Sequence, residues 1–242
     1  MIRLEQKISN WLSKYLKNNN LDSFVIGISG GIDSAVTSTL CAMTGYKTYV
    51  IVMPIHQKED ETDRGLEHCE WLKQKYPNVE DIKIDLTSTF DHFKSVFPSS
   101  FNDKLALANS RARIRMSSLY LIAGNSNGIV VGTGNKIEDF GVGFYTKYGD
   151  GGVDISPIAD LTKTEVWELG KELNISEEII KAQPTDGLWD DGRTDTGQLG
   201  LSYQELEEAM NNPNSPNRSK YDEIRKLNLH KMQSIPVCKF PK

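Results

Sequence analysis

The chain has 242 residues, of which 38% are hydrophobic and 25% are charged, and its formal net charge is −5. This length favours one α/β domain over two equal domains, so residues 1–242 are expected to form a single domain. The acidic balance argues against general nucleic-acid binding, because DNA and RNA are bound through positive charge that displaces counterions.

Apolar periodicity and breaker residues predict strands that alternate with helices through the first half of the chain. The predicted elements are a helix over about 2–17, a strand over 24–28, a helix to residue 45, a strand over 49–53, a helix ended by Pro77, a strand over 82–86, a helix over about 102–123 and a strand over 129–131. The apolar stripe of the first helix faces either the core or a second subunit. Such alternation predicts a parallel sheet with ligands beyond the carboxyl ends of its strands.

The second half of the chain begins with a predicted glycine-rich loop over 132–152 and then becomes helical. Capping-box spacing predicts helix starts at Thr162 and Ser202. Between these helices, residues 186–200 form the least regular segment. Three stretches are expected at the carboxyl ends of strands, namely 29–34, 53–60 and 132–139.

Cysteine usage and hydropathy narrow the class of protein further. Cys41, Cys69 and Cys238 are far apart and form no CxxC pair, which argues against a disulfide framework and a structural zinc site. A reducing cytoplasm is the expected location. No run approaches the roughly 18 apolar residues of a membrane span, so no membrane segment is expected.

One segment carries the strongest chemical signal. A predicted strand runs into Ser29-Gly30-Gly31-Ile32-Asp33-Ser34 and then into a helix, which is the arrangement of a phosphate-binding loop. The loop has no lysine and fits neither the Walker A nor the dinucleotide-binding spacing. It predicts an ATP-using protein. The alternative is a tight turn in which Asp33 or Ser34 only caps the helix.

The hexapeptide resembles the SGGxDS loop of the N-type ATP pyrophosphatases. Three later stretches, Gly132-Thr-Gly-Asn-Lys-Ile-Glu-Asp139, Tyr145-Thr-Lys-Tyr-Gly-Asp-Gly-Gly-Val-Asp154 and Ser156-Pro-Ile-Ala-Asp-Leu-Thr-Lys163, resemble the core of ammonia-dependent NAD synthetases. The similarity spans about residues 24–231. It implies a three-layer α/β fold with a parallel β-sheet, the Rossmann-like fold of adenine nucleotide α-hydrolases, with extra C-terminal helices.

The resemblance also implies a reaction. ATP and ammonia convert deamido-NAD (nicotinic acid adenine dinucleotide) to NAD, AMP and pyrophosphate. A carboxylate resists attack by ammonia, whereas its mixed anhydride with AMP has a good leaving group. Donors and Mg²⁺ at the departing pyrophosphate would stabilise the transition state.

Residue roles carry over position by position from the family motifs. The implied ATP contacts are Gly27, Ile28, Ser29, Gly30, Gly31, Ile32, Asp33, Ser34, Thr133, Lys163 and Thr185. The implied deamido-NAD contacts are Arg113, Lys147, Asp154, His230 and Lys231. The implied Mg²⁺ ligands are Asp33 and Glu138. The implied catalytic residues are Asp150, as the acceptor of a proton from ammonium, and Lys163.

Each role has a plainer alternative. Glu138 could be a solvated loop charge, Asp150 could bind loop N–H groups, and Thr133 and Thr185 could be turn residues. Arg113 and Arg115 lie on different sides of one helix, so only one of them is expected to reach the main phosphate site. Lys163 at a helix N-terminus opposes the helix dipole, which calls for an anionic group nearby.

The glycines around Asp150 suggest a lid over bound ligand within residues 140–152. Between Glu138 and Lys147 the chain is one residue longer than many family members, which affects the alignment of Glu138. No glutamine-hydrolysing domain is expected, so free ammonia or a separate donor protein would supply the nitrogen. The family resemblance implies a homodimer that acts on small molecules.

Two other functions remain open at the level of sequence. The chain could be an ATP pyrophosphatase with another acceptor, such as a GMP synthetase or a tRNA-modifying ligase. It could also be a non-catalytic nucleotide sensor that retains the fold. Pyrophosphate release that depends on deamido-NAD separates these three functions.

Overall fold

The computed structural model describes residues 2–185, 187–189 and 193–240, and a parallel sheet of four strands organises them. The strand order across the sheet is β3-β2-β1-β4. The strands are β1 (Ser23–Gly27), β2 (Lys47–Val52), β3 (Val79–Lys83) and β4 (Gly128–Val130). The predicted α/β fold with a parallel sheet is therefore confirmed.

Helices cover both faces of the sheet and extend beyond it. Their bounds are α1 (Leu4–Asn19), α2 (Ile32–Ala42), α3 (Glu59–Lys75), α4 (Thr87–Ser95), α5 (Lys104–Asn125), α6 (Lys163–Glu172), α7 (Glu177–Lys181), α8 (Asp195–Leu199), α9 (Tyr203–Asn211) and α10 (Arg218–Met232). A 3₁₀ turn covers Ser99–Phe101 and a π-helix covers Lys136–Val142.

Three hydrophobic clusters join these layers. The first lies between the sheet and helices α1, α2 and α6, and it buries Leu12 and Leu16 of the first helix. The apolar stripe of α1 therefore belongs to the core. The second cluster lies on the opposite face, where Met116 and Leu119 of α5 pack with Val25 of β1. The third joins the π-helix to α9 and α10 beyond the sheet.

Several sequence-based boundaries hold closely. Asn20 ends α1 in the left-handed conformation with φ 53°. Both predicted capping boxes are present, with Thr162 paired to Glu165 and Ser202 paired to Glu205. The helix after the phosphate loop ends at Ala42, three residues before the predicted Gly45.

The third strand was predicted three residues too late, over 82–86. Val79–Lys83 pairs in register with Thr48–Val52, and the chain then leaves the ladder. β3 is an edge strand in which Glu80, Asp81 and Lys83 are all exposed. It therefore lacks the apolar alternation on which the prediction depended.

The predicted loop over 132–152 contains an element that the sequence did not reveal. The side-chain oxygen of Asn135 accepts hydrogen bonds from the backbone N–H groups of Ile137 and Glu138 and so starts the π-helix. Gly143, with φ 71°, ends it. Helix α4 was not predicted, and α8 lies inside the segment expected to be least regular. Asp186 and residues 190–192 of that segment lie outside the described residues.

Candidate active site

The loop between β1 and α2 is shaped by one glycine with a left-handed backbone. Gly30 has φ 83°, and a Cβ atom there would lie 2.4 Å from the carbonyl oxygen of Glu61. Neither Asp33 nor Ser34 caps α2, because the N-cap residue is Gly31 and no side-chain cap hydrogen bond is present. The helix-cap alternative for this loop is therefore wrong. The backbone N–H groups in the first turn of α2 have no helical partners and are available to bind an anion beside the loop.

A cavity of about 260 Å³ opens at the carboxyl ends of the strands. Every residue from 27 to 34 lines it, together with the end of β2, one side of α5 and parts of segments 131–139 and 182–188. The predicted ATP-binding residues Thr133 and Thr185 line it, as do Glu138, Asp150 and Lys163. The fold thus brings the residues predicted for ATP, metal and catalysis to one cavity.

Lys163 lies at the centre of this cavity wall and is 2% exposed. Its Nζ donates to Asp33 Oδ2 at 2.6 Å and to Glu138 Oε1 at 2.9 Å. Burial lowers the pKa of the Lys163 ammonium, but the two carboxylates outweigh burial and raise that pKa above its ordinary value. These carboxylates are the anionic groups that a lysine at a helix N-terminus requires. Lys163 therefore stays charged and fixes both carboxylates.

Two further side chains complete the cluster. Asn135 Nδ2 donates to Asp33 Oδ1 at 3.1 Å. The hydroxyl of Tyr203 lies 2.5 Å from Glu138 Oε1 and 3.2 Å from Asp195 Oδ2. Glu138 is consequently held by buried partners, which contradicts the alternative of a solvated loop charge.

The carboxylate oxygens of this cluster are suitable ligands for Mg²⁺, but they are too few to form a complete metal site. Asp33 and Glu138 offer carboxylate oxygens to the same cavity, and hard oxygen ligands are what Mg²⁺ prefers. Among the described residues, no group of three or more His, Cys, Asp or Glu side chains forms a complete metal site. The protein residues fit an ion that takes its remaining ligands from phosphates and water, which is the usual way in which Mg²⁺ binds.

Asp139 and Asp150 add two further carboxyl groups to the cavity wall. Burial raises the pKa of the Asp139 carboxyl well above its ordinary value, and the neighbouring Asp150 and Glu138 raise it further. Asp150 Oδ1 accepts a hydrogen bond from the backbone N–H of Thr146 at 3.1 Å. Asp150 therefore makes the loop contact that was its plainer alternative, and it also lines the cavity.

Two arginines bring positive charge to the cavity. Arg115 donates to the carbonyl oxygen of Met53 at 2.9 Å and to Gln57 Oε1 at 2.7 Å. Arg64 lines the cavity beside the phosphate loop, and its buried Nε has no hydrogen-bond partner among the described residues. Arg113 does not line the cavity and donates to the carbonyl oxygen of Lys147 at 3.2 Å. Of the arginine pair in α5, Arg115 is therefore the one that reaches the cavity.

The residues predicted to bind deamido-NAD lie outside this cavity. Asp154 accepts from the Tyr120 hydroxyl at 3.0 Å and from the backbone N–H of Val130 at 2.8 Å. Lys231 donates to the carbonyl oxygen of Tyr145 at 2.8 Å. His230 is exposed on α10. Their role toward the dinucleotide stays a prediction.

Three contributors to the site were not assigned from the sequence: Asn135, Tyr203 and Asp195. Asn135 falls within a stretch that carries the family resemblance, and Tyr203 lies within the span of that similarity. Neither residue type indicated that it would hold Asp33 or Glu138. Thr185 was assigned, and its hydroxyl donates to Glu61 Oε1 at 3.0 Å.

Two further observations bear on the class of protein. No helix among the described residues is long and apolar enough to cross a membrane. Cys41, Cys69 and Cys238 are free thiols, of which the first two are buried.

Comparison with known proteins gives matches over nearly the whole chain. The family model described as NAD synthase matches residues 4–241. An NH(3)-dependent NAD(+) synthetase of Carboxydothermus hydrogenoformans is 40% identical over 208 residues, which cover 85% of this chain and 83% of the relative.

Two solved structures are similar over 98% of both chains. The NMN synthetase of Francisella tularensis has a TM-score of 0.90 and 33% identity. The NH3-dependent NAD synthetase of Campylobacter jejuni has a TM-score of 0.78 and 27% identity.

Proposed function

The chain belongs to the NAD synthase family, and from this membership we propose that it uses ATP and ammonia to convert deamido-NAD to NAD, AMP and pyrophosphate. One observation carries the proposal above the others. The phosphate loop, the carboxylates Asp33 and Glu138, and Lys163 line a single cavity at the carboxyl ends of the strands. That is where an open parallel sheet binds its ligand.

The phosphate loop would hold the triphosphate through backbone N–H groups. Charge builds up on the departing pyrophosphate when the substrate carboxylate attacks the α-phosphorus. Donors fixed before the reaction stabilise that charge without reorganising, so the rigid turn at Gly30 favours the transition state. The Glu61 carbonyl lies so close to Gly30 that a side chain at this position would not fit.

Asp33 and Glu138 would hold Mg²⁺, with further ligands supplied by ATP and water. The bound ion would neutralise negative charge on the phosphates. Lys163 orients both carboxylates, and its positive charge offsets part of their repulsion. Lys163 stays protonated in this arrangement, because its pKa is raised above its ordinary value. It would therefore act through its charge and not by donating a proton.

Asp150 would position ammonium near the activated carboxyl group and accept its proton, since ammonia attacks only in the neutral form. The segment around Asp150 would act as a lid that excludes water, because water would hydrolyse the adenylate. The deamido-NAD would contact Arg113, Lys147, Asp154, His230 and Lys231, beside the cavity. Limited proteolysis within 140–152 tests the lid, since ligands should slow the cleavage.

A second candidate reaction differs only in the acid substrate. The similarity to an NMN synthetase, with a TM-score of 0.90, favours nicotinic acid mononucleotide as an alternative acceptor. The same cavity would activate its carboxylate, because the reacting pyridine acid is the same in both molecules. The two substrates differ in the AMP half of deamido-NAD, which the mononucleotide lacks and which could contribute binding energy.

One assay tests both reactions. The full chain is incubated with ATP, MgCl₂ and ammonium chloride, and AMP and pyrophosphate are followed with deamido-NAD, with nicotinic acid mononucleotide, or with neither. Our proposal expects release that depends on deamido-NAD and yields NAD. A higher kcat/KM with the mononucleotide would transfer the proposal to NMN synthesis. Release that ignores both acids would refute it.

We also propose that the chain works as a homodimer in the cytoplasm. Large apolar side chains are exposed on α4, α5 and the turn between them, where Phe97 is 48%, Phe101 67% and Leu105 57% exposed. Exposed large apolar side chains that are close together in the sequence are consistent with a protein interface, and a second copy is the proposed occupant. Sedimentation equilibrium of the chain and its Leu105→Glu variant tests this assignment, and a monomeric wild-type chain would contradict it.

A further inference from the structure

The side chain of Tyr203 extends from α9 to Glu138 and Lys163, which line the cavity. Tyr203 is 2% exposed and packs edge-on against Trp167, with ring centroids 5.6 Å apart. The Lys163 Nζ lies 4.9 Å from the centre of its ring. A tyrosine enclosed in this way has little freedom to move its hydroxyl.

The hydroxyl of Tyr203 stands between two carboxylates but carries one proton. Its distance is 2.5 Å to Glu138 Oε1 and 3.2 Å to Asp195 Oδ2. The shorter contact identifies Glu138 as the acceptor of that proton. Lys163 donates to the same Glu138 oxygen at 2.9 Å.

Both described hydrogen bonds to the Glu138 carboxylate therefore fall on Oε1. Within the part of the chain that the structure describes, no hydrogen bond to Oε2 occurs, and Glu138 lines the cavity. Two donors on one oxygen fix the carboxylate and leave its second oxygen for a ligand in the cavity. A carboxylate that binds Mg²⁺ through one oxygen needs this orientation.

We infer that Tyr203 is a positioning residue that orients Glu138 toward the divalent cation. The inference rests on the proposed function, because that function supplies the cation. Tyr203 acts through Glu138 and contacts neither ATP nor the acid substrate in this proposal.

The experiment measures cation binding without turnover. Mn²⁺, which accepts the same oxygen ligands as Mg²⁺, is titrated into the full chain with α,β-methylene-ATP, and free Mn²⁺ is read by electron paramagnetic resonance. We expect Tyr203→Phe to weaken Mn²⁺ binding by about tenfold or more, as loss of a hydrogen bond to a charged group predicts. Tyr46→Phe, which removes a hydroxyl from a distant half-buried tyrosine, is the matched control and should bind as the wild type does.

A double-mutant cycle separates positioning from general loosening of the site. In the Glu138→Gln background, Tyr203→Phe should weaken Mn²⁺ binding no further. The proposal is overturned if Tyr203→Phe binds Mn²⁺ normally in the wild-type background. It is also overturned if the full loss persists in Glu138→Gln. These readouts do not require amide formation, so a failure of the proposed reaction in the pyrophosphate assay remains a separate result.

Discussion

Lys163 and Asp33 are separated by 130 positions in the sequence, yet the fold joins them through a hydrogen bond of 2.6 Å. Lys163 begins α6, and Asp33 lies in the first turn of α2. These two helices pack side by side on one face of the sheet. The packing of two helix N-termini therefore sets the geometry of the site.

Removal of the Lys163 charge should destabilise the fold. Lys163→Met leaves Asp33 and Glu138 without their shared partner, and breaking a buried ion pair costs about 3–5 kcal/mol. Urea unfolding should show this loss, and MgCl₂ should restore part of it by neutralising the carboxylates. Lys171→Met, on the exposed side of the same helix, is the control. Equal effects of the two substitutions would contradict a central role for Lys163.

His68 should make stability depend on pH. Burial lowers the pKa of His68 to about 4, and its Nε2 lies 2.9 Å from the Ser38 hydroxyl. The unfolded chain takes up the proton near an ordinary histidine pKa of about 6.5, whereas the folded chain resists it. Stability from this group is therefore complete above pH 6.5 and is lost as the pH falls toward 4. Urea unfolding of wild type and His68→Gln between pH 7 and 5 measures this. If the free energy of unfolding changes equally with pH in both proteins, the pH dependence comes from groups other than His68.

Two glycines with similar backbone angles should respond differently to alanine. Gly30 and Gly45 have φ of 83° and 79°, but a Cβ at Gly45 meets no atom within 4 Å, whereas one at Gly30 meets the Glu61 carbonyl. Gly45→Ala should cost only the left-handed strain of about 1 kcal/mol. Gly30→Ala should cost more and also weaken ATP binding, as calorimetry with α,β-methylene-ATP would measure. Normal ATP binding by Gly30→Ala would refute the assignment of this loop.

Arg64 should contribute to pyrophosphate binding. Its buried Nε has no hydrogen-bond partner among the described residues, and it lies beside the phosphate loop, which has no lysine of its own. Arg64→Gln should weaken product inhibition by pyrophosphate roughly tenfold, because a charged hydrogen bond is lost. Lys75→Gln, at the far end of the same helix, should leave the inhibition constant unchanged. If the inhibition constant for pyrophosphate is unchanged in Arg64→Gln, Arg64 does not bind pyrophosphate.

Asp154 should support the fold in addition to any contact with the dinucleotide. Its carboxylate accepts from the backbone N–H of buried Val130 and from the Tyr120 hydroxyl. Asp154→Ala leaves that N–H without this partner and should cost about 1–3 kcal/mol of stability. Asp160→Ala, which breaks only the exposed pair with Lys136, should cost far less. If thermal unfolding of Asp154→Ala matches wild type while the KM for the acid rises, Asp154 serves substrate binding alone.

Much of the fold and of the ATP cavity could be predicted because the signals are local. Residues 24–36 contain a strand, a turn and a helix start within one short segment, and each capping box spans four residues. Glu138 and Tyr203 illustrate what could not be predicted. They are 65 positions apart, and their contact depends on how the π-helix packs against α9. The strand β3 was misplaced for a related reason, since its position depends on pairing with β2 more than on its own apolar pattern.

The helix α10 has a consequence for how the protein is made. Arg225, Asn228 and Lys231 donate hydrogen bonds to carbonyl oxygens of Phe140, Val142 and Tyr145, across about 85 positions. The segment that follows Glu138 thus obtains these donors from residues that the ribosome adds much later. A nascent chain that has already folded its sheet would still lack this support, so catalytic competence should emerge only when translation has passed α10.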